Sequence, residues 1–271
     1  MTGRLTLWWM IFRISLSERL VYRGDFILST LIRFMPIITQ VLLWTAVIGA
    51  GESDNIKGMD IGDIVAYYLL VTVARAFSSM PGLTHGIAGE IRDGQIKKYL
   101  IQPIDLIGFL LAKRIAHKLV YYMMATIPFG IVFFLFRDYF DGWPPMHVML
   151  AYVASLGLAF CIGFFLEATF GFIAFWWLEV TSLMFMYMLM NFFFSGHMFP
   201  LDFLPDWLRN GFDCLPFQYM AYFPCAVFLE RMTWEQTING LWIGFGWAVF
   251  FFITTQLSFR FGVRRYSGFG G

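Results

Sequence analysis

The residue types that support catalysis or metal binding are few in this sequence, and their spacing matches no catalytic or metal-binding motif. No His-Glu-x-x-His arrangement occurs, and the histidines are scattered: His85, His117, His147 and His197. Ser195-Gly196-His197 sets a hydroxyl beside an imidazole, but no Gly-x-Ser-x-Gly elbow surrounds it. Adjacent residues do not by themselves have the geometry of a catalytic triad, so the pattern disfavours a serine hydrolase.

The cysteines and the nucleotide-binding motifs narrow the chemistry further. Cys161 lies in a long apolar run, where a cysteine behaves as a small apolar residue. Cys214 and Cys225 fall in one segment and could pair in an oxidising compartment, which the sequence does not decide. The phosphate-binding motif Gly-x-x-x-x-Gly-Lys-Ser/Thr does not occur, so we expect no ATP hydrolysis, no cofactor and no metal on this chain alone.

Arg33, Arg75 and Glu179 lie within long apolar stretches, and Arg75 and Glu179 lie deeper than Arg33. A charge at the centre of a membrane helix costs about 2.5–3.5 kcal/mol on insertion scales, so it usually faces protein or water. Two interpretations remain open at this point. Arg75 and Glu179 form an intramembrane ion pair, or they line a polar cavity on a translocation path.

The elements that would position these residues are membrane-spanning helices. Hydrophobic residues make up 59% of the chain and charged residues only 14%, whereas a soluble domain has about a quarter charged residues. The apolar runs approach the roughly 20 residues that a spanning helix needs, and they lack the alternation of barrel strands. We predict an all-α polytopic membrane protein, one domain over 1–271, with six spans at 26–50, 61–83, 119–136, 146–166, 170–194 and 241–261.

The distribution of lysine and arginine predicts the orientation of these spans, because such residues accumulate on the cytoplasmic side. One set of loops and ends is rich in them: Arg4, Arg13, Arg19, Arg23, Arg92, Lys97, Lys98, Lys113, Arg114, Lys118, Arg260, Arg264 and Arg265. The other set has only Lys57, Arg137, Arg209 and Arg231. We therefore predict a multi-pass protein of the plasma or inner membrane with both termini in the cytoplasm.

Two further segments flank the spans. At residues 1–25, Leu5, Trp8, Trp9, Phe12 and Leu16 recur at helical spacing, which predicts an interfacial helix along the bilayer surface. Residues 196–240 form the large external segment, which is apolar but broken by prolines. Such a segment is typical of short helices that enter the outer leaflet without crossing it.

The most charge-dense stretch between spans is 90–103, within a cytoplasmic segment that we place at 84–118. Gly94 interrupts it and Pro103 ends it, since a proline disfavours helix in the residue before it. The stretch is too polar to span the membrane, and Ile96, Leu100 and Ile101 give it an apolar side. It is either an ordinary interfacial helix or a docking surface for a soluble partner.

Glu90-Ile-Arg-Asp-Gly94 followed by Leu100-Ile-Gln-Pro103 resembles the Glu-x-x-x-Gly…Leu-x-x-Pro signature of permease subunits of type-2 ABC exporters. The predicted topology is similar to that family over nearly the whole chain. The resemblance implies a coupling helix between spans two and three, with external helices between spans five and six as an outer gate. It assigns ATPase coupling to Glu90, Arg92, Gly94, Lys97, Lys98 and Pro103, although Gln102 stands where many relatives have arginine.

The same resemblance implies the partners and the mechanism. A second copy or a related permease would complete the translocation path, which spans two and five would line. A separate ABC ATP-binding subunit would bind ATP and push the coupling helices. Membrane lipid surrounds the protein, the substrate is a small molecule, lipid or glycan, and nucleic acid is not expected.

Two rival functions remain at this stage. A non-transporting membrane scaffold or assembly protein would use the same cytoplasmic segment for docking and would need no cavity. An intramembrane lipid-modifying enzyme would instead need a clustered pair of titratable groups.

Overall fold

The computed structural model describes residues 9–10, 13–14, 17, 32, 35–49, 57–102, 105–140, 142–177 and 179–266. Within these ranges the protein is helical and has no β-strand, which confirms the predicted all-α class. The predicted interfacial helix at 1–25 lies largely outside the described residues, as does the beginning of the first predicted span.

Long apolar helices dominate the described part of the chain. The helices are α1 Met35–Gly49, α2 Ile61–Ser78, α3 Leu83–Arg92, α4 Lys97–Leu100, α5 Leu106–Leu135, α6 Met146–Phe172, α7 Thr181–Phe194, α8 Asp206–Asp213, α9 Tyr222–Phe228 and α10 Trp234–Arg265. Four stretches are long and apolar enough to cross a membrane: Ile61–Arg92, Leu106–Leu135, Met146–Phe175 and Trp234–Arg265. The shorter apolar helices α1 and α7 lie in the first and fifth predicted spans, and the count of six stays a prediction.

Side-chain caps determine where several long helices begin. Asp60 and Asp63 form a capping box at α2, in which the Asp60 carboxylate accepts a hydrogen bond from Asp63 N at 2.8 Å. Thr233 and Gln236 form a second capping box at α10, and the Asp105 side chain caps α5. These side chains satisfy backbone N–H groups that have no partner in the first helical turn.

Helix α6 is the central helix of the bundle and packs against α2, α3 and α10. Two glycines of α6 permit close approach: a Cβ added at Gly163 would collide with the Ser78 carbonyl oxygen, and one at Gly171 would lie 2.8 Å from Ile87 Cβ. Small residues at these two positions therefore allow α2 and α3 to pack directly on α6.

The connection between the fourth and fifth predicted spans differs from the sequence-based prediction. The predicted boundary at 166–170 lies inside α6, which continues to Phe172 and is followed by the 3-10 turn Ile173–Phe175. Helix α7 begins only at Thr181. Similarly, α5 begins at Leu106, so the end of the predicted cytoplasmic segment 84–118 is the first part of a long helix.

Candidate functional site

The charged stretch between α2 and α5 folds as a compact α3–α4 segment, residues 83–102. The Glu90 carboxylate accepts hydrogen bonds from Lys98 Nζ at 3.3 Å and Tyr99 OH at 3.1 Å. Ile91 and Ile96 are fully buried beneath this polar surface. Glu90 and Lys98, both predicted site residues, are therefore brought together, and they join α3 to α4.

Gly94 forms the turn between α3 and α4 with φ of 71°, in the left-handed region that favours glycine. Its N–H donates to the Ile91 carbonyl at 3.2 Å, and the Asp93 N–H donates to the Gly89 carbonyl at 2.9 Å. This is the left-handed ending that commonly terminates a helix. A turn of this shape reverses the chain and presents the residues around it at one end of the bundle.

The surface of the α3–α4 segment is basic and partly apolar. Arg92 and Lys97 are exposed, and Arg92 forms a surface ion pair with Asp93 at 3.4 Å. Ile101 is 83% exposed, and it lies outside the four stretches that are long and apolar enough to cross a membrane. Pro103, also a predicted site residue, lies outside the described residues.

Electrostatic interactions reinforce the polar side of this segment. Burial and the Glu90 carboxylate raise the pKa of the Tyr99 hydroxyl. Partial desolvation lowers the pKa of Lys98, but Glu90 and Tyr99 together raise it more. Lys98 therefore stays a cation. The Tyr99 ring also contacts α5, because its centroid lies 5.4 Å from that of the Phe109 ring.

The link between α2 and α3, residues 79–82, is held on one side by α5. We call this link the joint. Lys118 Nζ donates to the Ala76 carbonyl and, at 2.6 Å, to the Ser79 carbonyl. Arg114 donates to the Pro81 carbonyl at 3.2 Å. These carbonyls at and beyond the end of α2 would otherwise lack helical partners, so α5 supplies the cap.

On its other side the joint is held by α6. The Glu167 carboxylate accepts a hydrogen bond from Met80 N at 3.3 Å, and Thr84 Oγ1 donates to the Glu167 carbonyl at 2.8 Å. Glu167 and Lys118 are both buried. Sequence reasoning missed both roles, although an isolated glutamate in an apolar run was a signal that could have indicated Glu167.

A cavity of about 660 Å³ lies between α1, α2 and α7, with the joint at one end. Arg75, in the last turn of α2, is part of its wall, and so are Gln40 of α1 and Asn191 of α7. His197, which follows α7, also contributes to the wall. Arg75 therefore lines a cavity, while its place on a translocation path stays a prediction.

Glu179 is not inside a span. It lies in the non-helical link before α7, its side chain is exposed, and its carboxylate accepts a hydrogen bond from Thr181 N at 2.7 Å. The hydrogen bonds from Thr181 lower the pKa of Glu179, and the charges of Arg92 and His85 act in the same direction. The predicted intramembrane ion pair of Arg75 with Glu179 is therefore wrong, because the chain leaves the helix before it reaches Glu179.

At the opposite end of the bundle, the segment predicted at 196–240 contains the short helices α8 and α9, each next to a 3-10 turn. Hydrogen bonds join it to α2: Tyr67 OH donates to the Gly196 carbonyl at 2.6 Å, and Tyr68 OH donates to the Met198 carbonyl at 2.7 Å. Arg231 forms an ion pair with Asp63 at 3.1 Å. These contacts hold the segment against the end of the cavity.

Within that segment, Asp202, Arg209 and Tyr222 form a hydrogen-bonded network. Arg209 donates to the Asp202 carboxylate and, at 2.7 Å, to Tyr222 OH, which in turn donates to Asp202 at 2.8 Å. Burial and the Asp202 charge raise the pKa of the Tyr222 hydroxyl. Cys214 is exposed and Cys225 is buried, and no disulfide joins these two residues.

Two chemical patterns considered in the sequence can be compared with the described residues. Ser195 Oγ is buried and has no hydrogen-bond partner in the part of the chain that the structure describes, so His197 does not activate it. Across the same ranges, no group of three His, Cys, Asp or Glu side chains could hold a metal ion.

Comparison with known families supports a membrane transport assignment. A family model described as ABC-2 family transporter protein matches residues 34–270, which is most of the chain. No curated protein matches the sequence. The matched range contains the joint, the α3–α4 segment and all of the cavity lining except Ile32.

Proposed function

Because the chain belongs to the ABC-2 family of transporter proteins, we propose that it is the transmembrane permease subunit of an ATP-driven ABC exporter. The family match and the apolar helices indicate a membrane transport component. The observation that carries the finer proposal is the α3–α4 segment, in which Arg92, Lys97 and Ile101 are all exposed.

The α3–α4 segment is the proposed docking site for a separate ABC ATP-binding subunit, which would supply the ATP. An exposed isoleucine beside basic side chains resembles the composition of a protein interface, where an apolar centre is surrounded by polar groups. Fully buried Ile91 and Ile96 support the idea that the segment moves as one rigid unit. Glu90 and Lys98 act within it as the cross-link between α3 and α4.

We propose that the cavity forms one half of a translocation path. A second copy of the chain or a related permease would supply the other half. Its polar residues support this role, because a polar wall inside a membrane bundle faces water or substrate. The segment containing α8 and α9 is the proposed outer gate. Both termini and the α3–α4 segment would then lie in the cytoplasm of a cell whose plasma or inner membrane holds the protein.

Co-purification with candidate ABC ATP-binding subunits tests the proposal. We expect Arg92→Glu to weaken the association by at least about tenfold, because like charges across an interface cost several kcal/mol. The permease-dependent ATPase rate should fall in parallel. Arg137→Glu is the matched control, since Arg137 is also exposed and also contacts the following aspartate, Asp138, at 3.5 Å.

Two results would count against the proposal in different ways. Equal ATPase association of the Arg92 and Arg137 variants would exclude docking at the α3–α4 segment. Failure of every ATP-binding subunit encoded in the same genome to associate with the wild-type chain would exclude the exporter function itself.

A further inference from the structure

The cavity between α1, α2 and α7 has the size of a small-molecule site, and two uncharged amide side chains lie in its wall. Its volume of about 660 Å³ falls within the roughly 300–1,000 Å³ typical of ligand pockets. Gln40 of α1 and Asn191 of α7 both line it. The two amides therefore reach the same cavity from two different helices.

Hydrogen bonds at the end of the cavity opposite the joint place these two amides at a similar depth. Trp44 Nε1 donates to Tyr68 OH at 2.8 Å, which fixes α1 against α2. Tyr67 OH donates to the Gly196 carbonyl at 2.6 Å, which fixes the end of α7 against the same part of α2. The α1 amide lies four residues before Trp44 and the α7 amide lies five residues before Gly196, about one helical turn in each case. Both amides therefore lie roughly one turn inside the same hydrogen-bonded layer.

Each of the two amides has a buried oxygen that makes no hydrogen bond. Gln40 Oε1 and Asn191 Oδ1 lack a hydrogen-bond partner across the ranges that the structure describes. Buried polar atoms are normally satisfied, and each exception is costly inside a membrane bundle. A ligand that brings a hydrogen-bond donor to each oxygen would remove that cost.

The uncharged polar groups of the wall favour a hydroxyl on the ligand. An amide can reverse and present either its oxygen or its NH2 group. A hydroxyl both donates and accepts, so it fits either orientation, whereas a carboxylate only accepts and an ammonium only donates. His197 lines the same cavity, and burial, with a contribution from the Arg75 charge, lowers the pKa of His197 to about 3, so its imidazole is neutral. A neutral imidazole likewise offers one donor and one acceptor.

Part of the cavity wall is apolar. Ile37, Met184, Met188 and Phe192 line the same cavity. Methionine side chains are flexible and polarizable, so they adapt to apolar bodies of different shape. The cavity therefore combines two amides and an imidazole with an adaptable apolar surface.

We infer that this cavity binds an amphiphile with a hydroxyl-bearing head, such as a glycerol or sugar. Two of its hydroxyls bind Gln40 and Asn191, and its apolar chain lies against the methionines. No group of the ligand is placed at Arg75. The identification of this ligand as a transport substrate rests on the proposed function, whereas the binding itself is a property of this chain and needs no ATP-binding subunit.

Fluorescence titration of the full chain in phosphatidylcholine nanodiscs tests the inference, with empty nanodiscs as the background. The probes are 1-(dansyl-aminoundecanoyl)glycerol and its dimethyl ether, which differ only in whether the two head oxygens carry hydrogen or methyl. We expect the glycerol probe to bind about tenfold more tightly than the ether, because methylation removes both hydrogen-bond donors.

Variants on and off the cavity separate a built site from partition into the membrane. Gln40→Leu and Asn191→Leu should each reduce the preference for the glycerol probe to about threefold, because each removes one of two comparable hydrogen bonds. Neither variant should lower Tm of the probe-free protein, because each removes an unsatisfied buried oxygen. Gln256 of α10 is also a half-buried amide but does not line the cavity, so Gln256→Leu should leave the tenfold preference intact.

Competition against the glycerol probe separates two sources of the hydroxyl-bearing head. Monooleoylglycerol represents a lipid of the membrane, and hexyl glucoside represents an amphiphile from the aqueous phase. The stronger competitor identifies the source. Displacement by neither compound would contradict the inference.

Equal affinity of the glycerol probe and its ether for the wild-type chain would overturn the inference, and this comparison does not depend on whether any variant folds. A lower Tm in both leucine variants would overturn it as well, because the amides would then have partners within the protein. Neither result bears on ATPase docking, which is measured at the α3–α4 segment. Conversely, failure of ATPase docking would leave the binding result standing and remove only its interpretation as transport.

Discussion

Replacement of Gly94 by alanine tests whether the shape of the α3–α4 segment matters for coupling. Gly94 has a left-handed φ of 71°, which costs an L-residue about 1–2 kcal/mol. The lower backbone entropy of alanine in the unfolded segment returns about 0.4–1 kcal/mol. The net cost of about 1 kcal/mol destabilises the folded α3–α4 segment relative to its locally unfolded state. The ratio of folded to unfolded segment falls about fivefold, since about 1.4 kcal/mol corresponds to tenfold.

Gly89→Ala is the matched control in the same segment. Gly89 is helical, and a Cβ added there meets no atom within 4 Å. Alanine in a helix is about 0.5–1 kcal/mol more stable than glycine, so this variant should strengthen the segment. The two variants carry the same chemical change a few residues apart, and we expect opposite effects on the same structure.

Two measurements report the outcome: hydrogen exchange of amides 86–102 and the ATPase rate of the complex with its ATP-binding subunit. Exchange should accelerate about fivefold in Gly94→Ala and slow in Gly89→Ala, following the free-energy differences above. ATPase coupling should fall in Gly94→Ala alone. Equal exchange and equal ATPase rates in the two variants would refute the reasoning, because the left-handed turn would then contribute nothing.

Three further predictions concern other contacts. Lys118→Met removes the ammonium group that donates hydrogen bonds to the Ala76 and Ser79 carbonyls. The free energy of unfolding should therefore fall by about 2 kcal/mol or more. Lys118→Arg should restore part of that free energy. Tyr222→Phe should lower Tm through loss of about 1.5–3 kcal/mol from bonds to charged groups, whereas exposed Tyr139→Phe should not. Because the pKa of His197 is lowered to about 3 in the folded protein, the unfolded chain binds more protons as the pH falls below 6.5. The free energy of unfolding should therefore fall by up to about 1.4 kcal/mol per pH unit. Tm measured against pH should show this decrease, and His197→Gln should flatten it.

The sequence predicted the parts of this protein that depend on local patterns. Hydropathy located the long helices, because an apolar run of sufficient length has few other stable forms in a membrane. The turn at Gly94 was anticipated because glycine punctuates the charged stretch, and the short helices within 196–240 were anticipated because prolines interrupt an apolar segment.

The parts that sequence reasoning missed depend on contacts between distant residues. Lys118 looked like one more cation of a positively charged membrane face, but its ammonium group reaches back 39 residues to Ser79. The predicted span boundaries put Glu167 in a link and Glu179 inside a span. In the structure, Glu167 lies inside α6 and Glu179 lies in the link before α7. A single charge in an apolar run marks either a helix break or a buried polar contact, and hydropathy does not distinguish them.

The joint is the structural connection between the two functional surfaces proposed for this protein. Arg75 lies one helical turn before Ser79, so this residue of the cavity wall is immediately next to the joint. Lys118 and Arg114 hold the joint to α5, while Glu167 holds it to α6. A four-residue link with these contacts on two sides should not bend freely when the α3–α4 segment is pushed. We therefore expect displacement of that segment to shift α2 relative to α7 and change the shape of the cavity at Arg75, rather than be absorbed at the link.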